Sequence, residues 1–558
     1  MKRYIFKLVA LCLLSSFWMQ KSFAEVVATT PKDTIAIICL NDFHGSFVQD
    51  KKLAVPGAAC IYAHVDSLKQ KYKNNIVIAA GDNFGGSYFS IVTKGSLIPS
   101  FFNELGITVS AIGNHEFDNG QEFLANKWKD SGVKDWTIDY ICANLFSDST
   151  CKTQPSYVIP EITKDIAISE DDVLKVRLIG LVTASAKSGT SATDIDSLVF
   201  LANHDSIINT LYANTNVKAD MNILVAHVGT EMIDDAPAWM ESYITPPKDF
   251  DGISSGHSHK FVIGNINGMP VVQGEISGKY ISVLLFERSE GVIRALPPEV
   301  NKVNLNKTLS GVSAEIEKSI DNVLDTTVIA SIDMKLSANL TKVVGDSDLI
   351  HDRNINPEEL TSLGTYACMS YADAYREVVG ITSKAEPIIA FSQFGAIRRS
   401  MPLGDITVLD AGEVLPFESP LKVYRLTGEQ IKAIMLDGIK VGTTMGQMQM
   451  NTLEVDLFDP DEAVEDIEVL NISYVYPNVC HITLSDDDKY IVVVDQFITN
   501  GGDGYDAKLF PEDCIVKDGD GKEYDLKSTT SFLKFLKSFS EDLNEDNDYK
   551  AKFNFWGL

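Results

Sequence analysis

Five short stretches of the chain carry residue types that bind hard and borderline metal ions: Asp42-Phe43-His44, Gly81-Asp82, Gly113-Asn114-His115-Glu116-Phe117-Asp118, His227, and Gly256-His257-Ser258-His259. Aspartate offers anionic oxygen, Asn114 a neutral carbonyl oxygen and the histidines imidazole nitrogen, with no thiolate among them. Such a mixture suits divalent Mn, Zn, Co or Fe and does not choose among them. Five of the nine histidines (44, 115, 227, 257 and 259) stand in these stretches, so the joint pattern says far more than any single Asp-x-His. Asp42 and His44, and again His257 and His259, are spaced by two; on an extended chain each pair presents both side chains on one face and can share an ion. Gly81 allows a tight bend ahead of Asp82, whose carboxylate can then bridge two cations. Two divalent cations keep such a pocket net positive even beside Asp42 and Asp82, which suits a phosphate dianion. Cations about 3.5–4 Å apart also lower the pKa of a shared water, giving a hydroxide nucleophile for in-line attack.

His115 and Asp118 form a second element. On a helical turn positions three apart share a face, so Asp118 can accept from one ring nitrogen while the other faces a substrate. An imidazolium held this way stabilises charge developing on a phosphate and its leaving oxygen. The alternative, with His115 a further metal ligand and Asp118 a helix cap, stays open at this point.

The ligand stretches need elements to position them, and the sequence supplies short apolar runs: TIAIICL (34–40), NIVIAA (75–80), VSAI (109–112) and NILVA (222–226). These are too short for helices and rich in Ile and Val, which predicts buried strands whose carboxyl ends deliver the ligands, as α/β layer folds do. From about Thr34 to about Arg294 such strands alternate with helical stretches such as 61–72. The segment 313–325 has apolar residues at helical spacing and predicts a helix bridging to a second region. That region begins near Asp346, with strand runs LKVYRL and YIVVVDQF and the glycine turn 500–505. The acidic run 456–468 predicts a solvated loop.

Composition limits the partners. The 558 residues carry a formal charge of −29 and are 45% hydrophobic, enough core for two or more domains. So acidic a surface repels nucleic acid and anionic lipid. Lys2, Arg3 and Lys7 precede an apolar stretch (8–18) and then Ser22-Phe23-Ala24, the pattern of a signal peptide cut after Ala24. About a dozen apolar residues fall short of the roughly 20 that span a bilayer. The expectation is a periplasmic or secreted protein with no stable membrane insertion after cleavage. The final residues, 554–558, carry no hydrophobic tail for a glycolipid anchor. Cys142 with Cys151, and Cys480 with Cys514, are open pairing options, while Cys39 and Cys60 read equally well as small buried apolar residues. Nothing in the sequence sets the oligomeric state.

The order NDFHG, GDNFGGS, GNHEFD, AHVG and GHSH, followed by LPF and FITNGGDGY, resembles the exported 5′-nucleotidase and UDP-sugar hydrolase family of calcineurin-like metallophosphoesterases over nearly all the mature chain. The resemblance implies an N-terminal four-layer α/β/β/α sandwich (33–312), a linker helix (313–345) and a smaller α+β nucleotide-binding domain (346–558). It implies that Asp42, His44, Asp82 and His259 hold one metal and Asp82, Asn114, His227 and His257 the other, with His115 and Asp118 as the catalytic dyad. Phe417 and Phe497 would stack on the two faces of the nucleobase, Asp503 would bind the ribose hydroxyls, Arg398 and Arg353 the phosphate, and Gln393 the base edge. Two departures leave the base preference open: the family's Asn-x-Gly-Gly-x-Arg reads Gln393-Phe394-Gly395-Ala396-Ile397-Arg398, and its Leu-Gly-Asn-Leu reads Leu363-Gly364-Thr365-Tyr366. The spacing from Arg353 to Leu363 is also longer than the family's.

The implied activity is dinuclear-metal-dependent hydrolysis of nucleoside 5′-monophosphates. Alternatives are a 2′,3′-cyclic-nucleotide 2′-phosphodiesterase with 3′-nucleotidase activity, a UDP-sugar diphosphohydrolase and, from another class, a catalytically inactive nucleotide-binding protein. The last is disfavoured because every ligand and dyad position is filled. The resemblance further implies rotation of one domain about a hinge at 337–345 during turnover.

Overall fold

The computed structural model describes residues 34–51, 53–130, 138–190, 195–202, 204–212, 218–239, 250–307, 309–321, 328–332, 362–399, 401, 404–441, 448–458, 467–476, 479–539 and 552–556. Arg353, the signal-like segment and the expected hinge at 337–345 lie outside these residues. Among the described residues no helix is long and apolar enough to cross a membrane.

The first half is built on two six-stranded sheets. One contains β1 (Thr34–Leu40), β2 (Asn74–Ala79), β3 (Ile107–Ala111) and β4 (Asp139–Ile141); the other contains β5 (Glu161–Ala167), β6 (Val173–Val182), β7 (Met221–His227), β8 (Gly252–Ser255), β9 (Phe261–Ile266) and β10 (Met269–Gly274). The hairpin of β11 (Tyr280–Ser289) and β12 (Val292–Lys302) returns to the first sheet, whose order is β12-β11-β1-β2-β3-β4, while the second runs β9-β10-β8-β7-β6-β5. Within them β1, β2, β3 and β4 are mutually parallel, as are β6, β7, β8 and β10.

Strand β1 shows why the apolar runs are unbroken. Ile35, Ile37 and Cys39 face a core shared with Val176, Leu178, Ile223 and Val225 of the second sheet. Ala36, Ile38 and Leu40 face Ile61, Val65, Phe102 and Leu105 of the helices Gly57–Lys71 and Ile98–Leu105. With both faces covered, every residue of the strand is buried, and each isoleucine contributes roughly 1.5–3 kcal/mol of burial. The outer face of the second sheet packs Leu181, Leu224 and Ile253 against Ile208 of helix His204–Tyr212. The result is the expected α/β/β/α sandwich.

The second domain is α+β. Strands β13 (Ile388–Gln393), β14 (Leu421–Thr427), β15 (Met448–Met450) and β16 (Lys489–Asp495) form a sheet of order β14-β16-β13-β15. Its core holds Tyr371 of helix Ser362–Val379, Phe391, Met435 and Phe532 of helix Ser528–Phe539. Between the domains the expected helix is present as Val312–Asp321, packed by Ile316 and Ile320 into the helical layer of the first domain. The strand Val328–Ile332 already pairs with Gly404–Thr407 of the second, so the helix belongs to the first domain's surface and the crossing comes after it.

One local expectation comes out differently in part, and the open cysteine pairings are not formed. The first residues of the acidic run, 456–458, continue the strand Leu453–Phe458, in which Val455 and Leu457 alternate into the core, while 459–466 lie outside the described residues. All seven cysteines of the described residues are unbonded; Cys142 is buried and its thiol donates to Asn144 Oδ1 at 3.3 Å.

Candidate active site

Parallel strands bring their carboxyl ends to one edge, and the loops leaving β1, β2, β3, β7 and β8 meet there. The first two are laced by backbone hydrogen bonds from His44 N to Asp82 O (2.9 Å) and Gly45 N to Asn83 O (3.0 Å). Spacing by two on an extended chain is not what aims the side chains. Strand β1 ends at Leu40, and Asp42 (φ 47°), His44 (φ 51°), Asp82 (φ 50°), His257 (φ 76°) and His259 (φ 58°) all adopt left-handed backbone conformations. Each costs about 1–2 kcal/mol for a residue with a Cβ. The tight turns they form fold Asp42 and His44 into one group of candidate ligands but send His259 to that group and His257 to another, so the second pair does not share an ion as its spacing predicts. Such strain concentrates at functional sites. Gly81 is needed for a different reason: at φ 87° a Cβ would lie 2.7 Å from His227 Nδ1.

Two groups of candidate ligand atoms result, Asp42, His44, Asp82 and His259 in one and Asp82, His227 and His257 in the other, each with its atoms within 4.8 Å of one another. His44 Nε2 lies 3.0 Å from His259 Nε2, and His259 Nε2 is 3.4 Å from Asp42 Oδ1. Asp82 Oδ2 is 3.1 Å from His227 Nε2 and 3.8 Å from His44 Nε2, which makes it the shared member. Asn114 Oδ1 sits 3.3 Å from His227 Nε2 and 3.1 Å from His257 Nδ1, completing the second group with a neutral oxygen.

The donor chemistry fits cations. Burial drives His44 and His259 well below the usual imidazole range, so two neutral rings face each other nitrogen to nitrogen, where at most one can donate. Burial also pushes Asp42 up; it pushes Asp82 the same way, but His227 and His115 outweigh it and hold Asp82 well below the carboxylate range. Lone pairs from two buried carboxylates and several imidazoles converge, an arrangement that is costly unless a positive ion sits among them.

Glu116 was visible inside a ligand motif, yet sequence reasoning gave it no role. It is 2% exposed, and its carboxylate accepts from the backbone N–H groups of Asp82 (3.0 Å), Asn83 (2.7 Å) and Gly113 (2.7 Å). It thereby ties the Asp82 loop to the Asn114 loop. Asn41 does similar service, donating to Asp42 Oδ2 at 2.7 Å and accepting from Gly274 N at 2.8 Å. We expect Glu116→Gln, which turns an NH2 group toward backbone donors, to destabilise the protein by about 2–4 kcal/mol and to lower its metal content. Denaturant midpoint and metal analysis check this; an unchanged midpoint would remove Glu116 from this role.

His115 and Asp118 meet across a single 3-10 turn, His115–Phe117, with Nδ1 to Oδ2 at 2.8 Å. Burial pulls His115 down, but Asp118 and Asp82 more than compensate and raise it. Its ring stacks on Phe417 of the second domain, centroids 5.8 Å apart and 11° from parallel. The Arg398 guanidinium lies 5.6 Å from that ring centroid. Arg398 is 8% exposed, and its Nε and Nη2 have no hydrogen-bond partner among the described residues.

One chamber of about 370 Å³ is lined by Asp82, Asn114, His257 and His259 of the first domain and by Gln393, Phe417, Phe497 and Asp503 of the second. Phe497 is held by Asp495, which caps its short helix, and by close packing on Gly502, where a Cβ would lie 2.4 Å from the ring. Asp503 donates its N–H to Ser188 O across the domains at 3.2 Å, and burial pushes its carboxyl up to about 7. Further contacts across the domains are Phe89 N to Glu413 Oε1 (3.2 Å) and Arg399 to Asp50 (3.4 Å). Of the sequence-predicted site residues that are described, eleven line this chamber, while Asp42, His44 and His227 are buried in the Asp/His cluster beside it, His44 bordering a neighbouring cavity.

An α/β/β/α sandwich with a buried Asp/His cluster at the carboxyl ends of its strands defines a metallophosphoesterase. The family described as calcineurin-like phosphoesterase matches residues 35–261, and the one described as 5′-nucleotidase, C-terminal domain, matches 343–509. The chain belongs to the 5′-nucleotidase family, in which these two domains occur together. It is 24% identical over 507 residues to an apyrase of Tabanus yao, covering 84% of this chain and 86% of that one. It is 22% identical over 535 residues to a 5′-nucleotidase of Homo sapiens, covering 89% and 88%. The crystal structure of a 5′-nucleotidase precursor from Thermus thermophilus shares the fold, with a TM-score of 0.69 at 21% identity over 94% of this chain and 99% of that one.

Proposed function

We propose that the protein is a metal-dependent 5′-nucleotidase that releases phosphate from nucleoside 5′-monophosphates in the periplasm or outside the cell. The observation that carries this reading is the single chamber joining the Asp/His cluster to a pair of phenylalanines; its volume suits a small organic ligand. Asp42, His44, Asp82 and His259 would hold one divalent ion and Asp82, Asn114, His227 and His257 the second, drawn from Mn, Zn, Co or Fe. Bound there, the ions supply Lewis acidity and a water of lowered pKa.

The chain's own groups do the rest. Arg398 turns its unpaired N–H groups to the phosphate, with Arg353 as a second cation. His115 commits Nδ1–H to Asp118 and keeps Nε2 to donate to the phosphoryl or leaving oxygen. Phe417 and Phe497 take the two faces of the base, Gln393 meets its edge, and Asp503 accepts from the ribose hydroxyls. The working units are the domains 33–312 and 346–558 joined by 313–345, whose helix docks on the first domain and whose strand Val328–Ile332 pairs with the second, following a signal peptide at 1–24. The names of the relatives, apyrase and 5′-nucleotidase, support a nucleotide substrate.

A second cavity of about 880 Å³ shares Phe417, Phe497 and Asp118 with the chamber. It favours, as a second reading, substrates with a bulky group such as UDP-sugars. Phosphate release from AMP, ADP, UDP-glucose and 2′,3′-cyclic AMP, each with Mn²⁺ and with EDTA, separates the possibilities. We expect metal-dependent release from AMP; preference for the cyclic substrate or UDP-glucose would replace this reading, and AMP binding without release would favour a non-enzyme.

A further inference from the structure

Asp495 has more charge than its structural task needs. It ends β16, is 2% exposed, and its Oδ1 accepts from Phe497 N at 2.8 Å, capping the helix Gln496–Thr499. Asn, Ser or Thr would cap as well, and a helix of four residues has little macrodipole for a charge to meet. The other group bonded to it is the Ser419 side chain, also neutral. Burial pushes this carboxyl up to about 6, so it costs free energy to keep ionised at neutral pH. A carboxylate offers about four acceptor positions; Phe497 N–H and Ser419 occupy two.

The carboxylate faces the buried Cys368 and Tyr371 of helix Ser362–Val379 and also borders the chamber. Asp495 lines the chamber together with Phe417, Phe497 and Gln393. Its strand runs parallel and adjacent to β13, with Phe391 opposite Val494 and therefore Ser392 opposite Asp495; Gln393 stands one position further on, and both Gln393 and Asp495 border the chamber where the two strands end. Gln393 Oε1 is committed to Ala396 N at 2.8 Å, which leaves its NH2 group as the donor. The two side chains thus offer one donor and one acceptor beside the aromatic pair.

We propose that Asp495 selects the nucleobase, accepting from an exocyclic amine while Gln393 donates to the neighbouring ring nitrogen, so that adenine and cytosine nucleotides are preferred over hypoxanthine and uracil nucleotides. Adenine and cytosine present a ring-nitrogen acceptor next to an amine that projects from the ring. Hypoxanthine and uracil put a carbonyl oxygen where that amine stood, so two acceptors face each other in a buried pocket and neither is satisfied. A site built to hydrogen-bond one group rejects its polarity-reversed analogue strongly; for one charged bond the expected discrimination is on the order of 10- to 100-fold.

This inference rests on the nucleotidase reading, and the test separates the two. With the metal-loaded full chain, kcat/KM is measured for AMP, IMP, CMP and UMP in the wild type, Asp495→Asn and Gln393→Glu. In parallel, calorimetric titration with adenosine and inosine in EDTA reads the same preference without catalysis. We expect the wild type to favour AMP over IMP and CMP over UMP by about tenfold or more, and Asp495→Asn, which keeps an oxygen for Phe497 N–H but adds a donor, to collapse or invert both ratios. Gln393→Glu should also erode the AMP preference, and it serves if Asp495→Asn fails to fold. Equal losses on all four nucleotides, or no discrimination by the wild type, would leave Asp495 a helix cap and overturn the proposal. Silence on all four nucleotides with adenosine still preferred over inosine would sink the nucleotidase reading and retain base selection.

Discussion

Asp82→Asn is expected to lower phosphate release by on the order of 10³-fold or more, about 4 kcal/mol of barrier, and to purify with less metal per chain than the wild type. Asp82 belongs to both groups of candidate ligands, lies 1% exposed, and faces His44 and His227 from one carboxylate oxygen. Its other oxygen accepts from His115 N at 2.9 Å. Asparagine preserves the shape and much of this bonding while removing the one charge common to the two groups, so the loss should come with an intact fold. Elemental analysis beside circular dichroism reads both. A variant that keeps its metal and its rate would show that Asp82 is only a structural hub and would undo the ligand assignment.

His115→Ala should behave differently, and the contrast is the informative part. Its ring contacts Asp118, Phe417 and His44 but is not a member of either candidate ligand group. We expect full metal content with kcat lower by about 10²–10⁴-fold, the range for a positioned acid–base group. The loss should be greatest for substrates with a poor leaving group and smaller for an aryl phosphate, whose leaving oxygen needs less help. If the variant instead loses metal in parallel with activity, His115 is a ligand, and the alternative left open by the sequence is the right one.

The strands and the ligand types were legible because both are local properties. An unbroken run such as 34–40 can only be buried on two faces, and the acid, amide and imidazole groups follow such runs directly. The bonding partners of Glu116 were not legible, since three backbone N–H groups from two loops leave no trace in side-chain spacing. Nor was the way Asp42 and His44 converge: period-two alternation gave the right pairing for the wrong reason, because the strand has already ended and left-handed turns do the aiming.

By itself the sequence determined an α/β sandwich with metal-binding residues at the ends of its strands and a second domain bearing aromatic residues. Only the tertiary structure decided that His44 and His259, 215 positions apart, bring ring nitrogens within 3.0 Å, and that Phe417 of the other domain stacks on His115. It also brought Asp495 and Gln393 to the border of one chamber, through the order β14-β16-β13-β15. Residue type and local hydrophobic pattern are written along the chain, whereas which strand lies beside which is set by the packing of whole sheets, and a site assembled from many segments exists only once that order is in place.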